Sequence, residues 1–337
     1  MKVAILYGKE ELRIEERESP SPGKGEVLLR VKTALTCGTD LKVFLRGGHP
    51  RMIKPPSPFG HEFSGVVEEV GDGVERWKKG MRVVSVNSAP CFSCFHCRKG
   101  EYSLCEDLLF INGAYAEYML IPERIQKINL YPIPEGVSFQ EAAFLEPLSC
   151  VVHGMEEIGV ETGEKVVILG AGPIGLLFLL LARAKGARVM VVDKAEKRLE
   201  KVEELGGIPV NLEDKEKIFS LTPEGRGADV VIEAVGLPEA WETSLNLVRK
   251  GGRILLFGGC PAGSQAEMDT GIIHYGEITL KGVFHHTPRL VNLTYELIRE
   301  RILPLEKLIT HTLPLEELPR ALELVRNKES LKIAILP

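Results

Sequence analysis

The spacing of apolar residues changes near the middle of the chain. In the first part it alternates in short runs: Val3-Ala-Ile-Leu6, Glu11-Leu-Arg-Ile-Glu15 and Glu26-Val-Leu-Leu-Arg-Val-Lys32, broken by Ser19-Pro-Ser-Pro-Gly-Lys-Gly25. The pattern continues through Gly65–Val70, Met81–Val86 and Ala116–Ile121. Period-two runs with Gly/Pro punctuation predict many short strands and a β-rich, barrel-like unit. From Cys150 onward the pattern becomes strand–helix–strand. A buried strand at 166–169 leads into an apolar helix at 175–185, a strand at Arg188–Asp193 and a charged helix at Glu196–Leu205. Ala228–Gly236, Arg253–Gly258 and Ile278–Phe284 read as further buried strands. Alternation of this kind predicts an α/β unit with a doubly wound parallel sheet. Two amphipathic helices, Leu290–Arg299 and Leu315–Arg326, and a closing strand at Lys332–Leu336 complete the chain. That tail is expected to return to the first unit. The first domain is then discontinuous, 1–147 and 287–337, around a second at 148–286.

Length and composition leave this picture standing and remove several functions. A chain of 337 residues exceeds one typical core. The net charge of −5 gives no basis for nucleic-acid or anionic-membrane binding. The longest apolar run, Ile174–Ala182, is far short of the ~20 residues of a membrane helix. The N-terminal stretch turns charged too early for a signal peptide, so a cytoplasmic protein is expected.

Candidate chemistry falls in three places. Val166–Leu169 runs into Gly170, Gly172 and Gly175 at G-x-G-x-x-G spacing, with Pro173 and Ile174 inside the turn. Such a turn lets backbone approach a pyrophosphate and aims a helix N-terminus at it. Asp193 ends the next strand, where an acid bonds the adenosine ribose and repels a 2′-phosphate, which predicts NAD over NADP. Arg198 is expected beside the adenine or the ribose edge. Secondly, Cys91, Cys94, Cys97 and Cys105 give C-x2-C-x2-C-x7-C, four thiols within fifteen residues. One loop with these spacings suits a closed tetrahedral zinc site; an iron–sulfur cluster is the rival. Thirdly, Cys37, His61 and Glu62 form an N/S/O set able to hold zinc with an open position. Glu146 adds an acid in an apolar context, which calls for a partner such as a metal.

With Cys37-Gly-Thr-Asp40, Gly60-His-Glu62, the four cysteines, Glu146-Pro-Leu148 and the glycine turn with Asp193, the chain resembles the zinc-dependent medium-chain dehydrogenase/reductase family nearly end to end. Within that family it is most similar to threonine and polyol (sorbitol-like) dehydrogenases. The resemblance implies a GroES-like catalytic domain interrupted by a Rossmann domain, with the active site in the cleft between them. It implies two zinc ions per chain, one catalytic on Cys37, His61 and Glu62 and one structural on the four cysteines. Glu146 matches a position that binds the metal in some members and stays near its water in others. Thr39 matches the hydroxyl that takes the substrate proton. Lys42 stands where the threonine-dehydrogenase type has a histidine, so the relay passes through water or His49, with Lys42 placed toward the cofactor.

The activity so implied is hydride transfer between a secondary alcohol and NAD, the substrate being a polyol or a hydroxy amino acid such as threonine. Phe257, Gly258 and Gly259 are expected near the nicotinamide, and Phe284 and His285 beside cofactor and substrate. The segment between Arg46 and Pro58, with Phe110 and Tyr115, is expected to line the pocket. The expected partners are a small-molecule alcohol and copies of the chain, as a homodimer or homotetramer, with no nucleic acid and no membrane. Two alternatives keep the fold and change the function: a zinc-free quinone or enoyl reductase, and a non-catalytic NAD-binding scaffold.

Overall fold

The computed structural model describes residues 1–337 as two compact units, Met1–Ser149 with His286–Pro337, and Cys150–His285. No helix is long and apolar enough to cross a membrane.

In the first unit, the predicted alternating runs become a seven-stranded sheet and a three-stranded one. The order in the larger sheet is Leu130–Pro132, Arg82–Ser85, Glu62–Val70, Val27–Leu35, Lys332–Leu336 and Ile309–Pro314, with Tyr118–Ile121 also paired to Val27–Leu35. The C-terminal strand therefore lies against the strand that leads to Cys37. Ala334 is opposite Leu35, and Leu35 is opposite Glu62 on its other side. Three residues distant in sequence are thus brought into one short stretch of sheet. Strand burial follows the pleat: Val27, Leu29 and Val31 face one apolar core with Phe63, Val67, Val83 and Ile333.

The second unit is a six-stranded sheet in the order Ile208–Asn211, Arg188–Asp193, Lys165–Leu169, Ala228–Glu233, Val248–Leu256 and Thr279–Gly282. Every ladder in it is parallel. The order reverses between Lys165–Leu169 and Ala228–Glu233, which in such sheets opens a crevice at the carboxyl ends of the strands. Helix Pro173–Ala184 buries Leu176 to Ala182 without interruption, as its lack of any polar stripe requires. The tail elements also form. Pro288–Arg299 and Leu318–Arg326 are helical, with a 3-10 turn at Leu315–Glu317 where the sequence suggests continuous α-helix. Pro319 explains that boundary, since proline fits the first turn of a helix and not its interior.

Candidate functional site

Cys37 sits at the N-cap of a helix, Gly38–Arg46, that the period-two reading does not foresee. Its sulfur accepts the Thr39 N–H at 3.4 Å, and Asp40 returns the bond by accepting the Cys37 N–H at 3.0 Å. This reciprocal cap holds the thiol at a helix N-terminus. Asp40 does more. Its Oδ1 lies 2.9 Å from His61 Nδ1, and its Oδ2 accepts the Tyr115 hydroxyl at 2.6 Å. With Nδ1 committed to a carboxylate, the His61 ring is oriented and its Nε2 is left as the ligand atom. The donor atoms of Cys37, His61 and Glu62 all lie within 4.8 Å of one another. His61 and Glu62 are buried and Cys37 is half-buried. One soft sulfur, one imidazole and one carboxylate at that spacing fit a zinc ion with a fourth position open.

Glu62 is wholly buried, and both its oxygens accept hydrogen bonds from the ammonium of Lys332, itself 1 % exposed. Burial by itself would lower the Lys332 pKa; the facing Glu62 carboxylate raises it instead. Burial likewise pushes the Cys37 thiol up, but the Lys332 ammonium and His61 bring it down to about 7. The site is thus a compact set of charges that favours a thiolate, the form a metal requires. Asp40 and Lys332 have no counterpart in the set read from sequence.

Among the remaining candidates of this unit, Glu146 lies in the first turn of helix Leu145–Ile158, buried, with its carboxylate within 4.8 Å of a ring nitrogen of His286. It also acts electrostatically on Lys332. Thr39 is half-buried beside Cys37, whereas Lys42 is exposed on the next turn. His49 is turned into a local contact, its Nδ1 accepting the Arg51 and Met52 N–H groups at 3.2 and 3.1 Å. Tyr115 corrects an expectation. It is 0 % exposed and lines no pocket, because its hydroxyl is needed to satisfy the buried Asp40.

The four cysteines form a separate loop in which Cys94 N-caps the short helix Phe95–Arg98. Sulfur–sulfur distances are 3.5 Å for Cys91–Cys105, 3.9 Å for Cys91–Cys97 and 3.9 Å for Cys94–Cys105. A tetrahedron of thiolates about 2.3 Å from one ion has edges of roughly 3.8 Å. The loop therefore fits a single ion rather than a larger cluster. No disulfide joins these cysteines.

In the second unit, Gly170, Gly172 and Gly175 make the expected turn between strand and helix. A Cβ on Gly175 would fall 1.8 Å from the Gly170 carbonyl oxygen, so the third glycine is required for close helix–strand packing. Pro173 occupies the first helical turn, and Ile174 follows it half-buried. Asp193 accepts the Ala171 N–H at 2.8 Å and the Ala195 N–H at 3.0 Å. Arg198 approaches it at 3.8 Å and lies beside Gly172. These groups fit a dinucleotide: free backbone at a helix N-terminus, with an acid at the end of the next strand. Phe257, Gly258 and Gly259 follow strand Val248–Leu256, and the Phe257 ring packs edge-on against Phe178 at 5.0 Å. Phe284 is exposed, and His285 has a left-handed backbone with φ of 60°. The His285 carbonyl is held by His153 Nδ1 at 2.8 Å.

Two family models match the chain: the alcohol dehydrogenase GroES-like domain over residues 23–135 and the zinc-binding dehydrogenase over 173–300. An erythritol/L-threitol dehydrogenase of Mycolicibacterium smegmatis is 34% identical over all of this chain and 98% of its own length. An L-threonine 3-dehydrogenase of Bacillus licheniformis is 33% identical over 94% of this chain and 93% of its own. Among solved structures, an alcohol dehydrogenase from Thermus sp. ATN1 superposes with a TM-score of 0.89 at 30% identity, covering 100% of this chain and 99% of that one.

Proposed function

The chain belongs to the zinc-dependent medium-chain dehydrogenase/reductase family, and from that premise we propose how this NAD-linked alcohol dehydrogenase works and on which alcohols. The observation that carries the proposal is the Cys37–His61–Glu62 set, its His61 and Glu62 buried, with its Asp40 brace. These three residues hold the catalytic zinc, and Cys91, Cys94, Cys97 and Cys105 hold the structural one.

A zinc ion held there would supply Lewis acidity toward an alcohol oxygen, and a bound NAD would supply the hydride acceptor. The protein supplies the rest. Asp40 fixes the His61 ring through Nδ1. Thr39, one residue from Gly38 at the start of the same helix, offers its Oγ1 to the substrate hydroxyl, accepting that proton as it hands its own to water. Lys332 balances the charge of Glu62. Gly170, Gly172 and Gly175 bring backbone to the pyrophosphate, and Asp193 meets the adenosine ribose, which favours NAD over NADP. Phe257, Gly258, Gly259, Phe284 and His285 complete the cofactor surroundings. Glu146 is the second acid of the catalytic region and an alternative ligand to Glu62.

The substrate is a polyol or a hydroxy amino acid. The erythritol/L-threitol and L-threonine enzymes among the relatives support this class, and both kinds of substrate present a secondary alcohol beside a polar neighbour. Oxidation assays with NAD across polyols, threonine, inositols and simple secondary alcohols test it. Turnover of the simple alcohols in preference to every polyol and to threonine would overturn the assignment. We further place the protein in the cytoplasm, where the thiols of its metal sites stay reduced. We assign it a homodimer or homotetramer, supported by the exposed Ile272 and Tyr275 next to the edge strand Thr279–Gly282. Light scattering on the purified protein reads the mass directly, and a monomer would refute the assignment.

A further inference from the structure

Strand Ala228–Glu233 ends on an acid that none of the chemistry above uses. Glu233 is 0 % exposed and stands in the sheet between Leu169 and Leu256. Leu169 is the residue before Gly170, so this carboxyl group lies at the point where the strand order reverses. A buried acid is costly unless its oxygens find donors. Glu233 Oε1 accepts the N–H groups of Val235 and Gly236, both at 2.7 Å. Its main-chain carbonyl accepts Phe257 N–H at 3.1 Å and Gly258 N–H at 3.0 Å. Its Oε2 has no hydrogen-bond partner.

One residue therefore ties down two turns, 234–236 and 257–259. They are packed backbone to backbone: a Cβ on Gly258 would fall 2.3 Å from Gly236 N and 2.7 Å from Glu233 Oε2. Two more bonds lock the pair, Ala234 N–H to the Leu169 carbonyl at 3.0 Å and Trp241 Nε1–H to the Gly258 carbonyl at 3.2 Å. The consequence is the placement of Val235. It is 42 % exposed although apolar, and its Cγ2 lies 3.0 Å from where a Cβ on Gly170 would be. An apolar side chain is thus held open to solvent beside the first glycine of the phosphate turn.

We infer that Glu233 is a positioning residue for the dinucleotide: its buried carboxylate grips turn 234–236, its main-chain carbonyl holds the packed turn 257–259, and together they present Val235 and the 257–259 backbone as a preformed wall for the cofactor. The inference rests on the NAD-binding reading of this unit and is independent of the alcohol. A carboxylate suits the task because one charged oxygen bonds two N–H groups more strongly than a neutral acceptor would. Without it, the turns must be ordered when the cofactor arrives, and that cost is taken from affinity.

The test is NADH binding to the full-length, zinc-loaded protein, read by fluorescence titration well below the melting temperature. Glu233→Ala is expected to weaken NADH by about thirty-fold, and Glu233→Gln, which keeps the acceptor and loses the charge, by about five-fold. Zinc content is expected to be unchanged in both. A purely structural acid would lower the melting temperature and leave the NADH dissociation constant alone. Wild-type affinity in Glu233→Gln overturns the inference, and this variant decides alone if the alanine form does not fold. If the wild-type protein itself fails to bind NADH, the cofactor reading falls and the inference with it.

Discussion

The two metal-binding sets of this chain are built in opposite ways. The four cysteines come from one fifteen-residue loop, carry their own hydrogen bonds and need little from the rest of the fold. The Cys37–His61–Glu62 set is assembled by a sheet, and its stability depends on groups far along the chain. Asp40 braces His61 from 21 residues away, and Lys332 reaches Glu62 across 270. The loop is closed by four ligands of one kind. The sheet site mixes sulfur, nitrogen and oxygen, a set of three that suits a metal with a fourth position open. On the proposed reading, the closed set serves folding and the open set serves reaction.

Exchanging the damage between the two sets tests this contrast, and the largest effect is expected at the sheet site. Cys37→Ser removes its soft ligand. Turnover should fall by on the order of a thousand-fold or more, as several kcal/mol of metal stabilisation of the transition state are lost. Zinc content should drop by about one ion per chain while NADH affinity stays near normal. Retained turnover would show that Cys37 is no ligand. Cys94→Ser should do the converse: a melting temperature lower by about 15 °C, with turnover near normal at low temperature. An unchanged melting point would remove the structural role from the cysteine loop.

The same contrast explains what could be read from the sequence. The cysteine loop, the glycine turn and Asp193 are legible because their partners lie within one loop or one strand–helix unit. Cys37, His61 and Glu62 are legible as residue types near a family pattern, although the reason they meet is the sheet register that sets Leu35 opposite Glu62 and Ala334. Asp40 carried a readable signal, since Cys37 and Asp40 have the N-cap and N3 spacing of a capping box. Lys332 carried none. In Lys332-Ile-Ala-Ile-Leu a lysine at the head of an apolar strand reads as a solvent-facing end, and only a buried acid from another strand makes it an interior residue. Tyr115 departs from expectation for a related reason: an aromatic near a pocket segment is committed to satisfying the buried Asp40.

Lys332 offers the next sharpest probe, because the cysteine loop has no analogue of it. Lys332→Met keeps the volume and leaves Glu62 buried without its cation. Removing one partner of such a pair costs about 3–5 kcal/mol, or a fall of roughly 8 °C in melting temperature for the zinc-free protein. In the zinc-loaded protein the ion supplies the missing positive charge, so the loss should be smaller. Calorimetry on both forms reads the difference. Equal losses would mean that Lys332 and the metal do not share Glu62.

The smallest effect expected is one of pH, and it separates the two sets by thiol chemistry. In metal-stripped protein, burial opposes ionisation of Cys37, but Lys332 and His61 bring its pKa to about 7, below the ordinary thiol value of 9. In the cysteine loop the thiols diverge. Hydrogen bonds from Ser93 bring Cys91 to about 6, while burial pushes Cys97 to about 12. Because the folded pKa of Cys37 is depressed, the thiolate is favoured above about pH 7, and the advantage is lost as pH falls through that value. Alkylation of Cys37, followed by peptide mass spectrometry, should therefore be flat above pH 7 to 8 and fall about ten-fold per unit below. In Lys332→Met the midpoint should move upward toward 9, since the cation that favours the thiolate is gone. A midpoint that stays near 7 in the variant would assign the depressed pKa to His61 and the helix N-terminus instead, and would leave Lys332 acting on Glu62 alone.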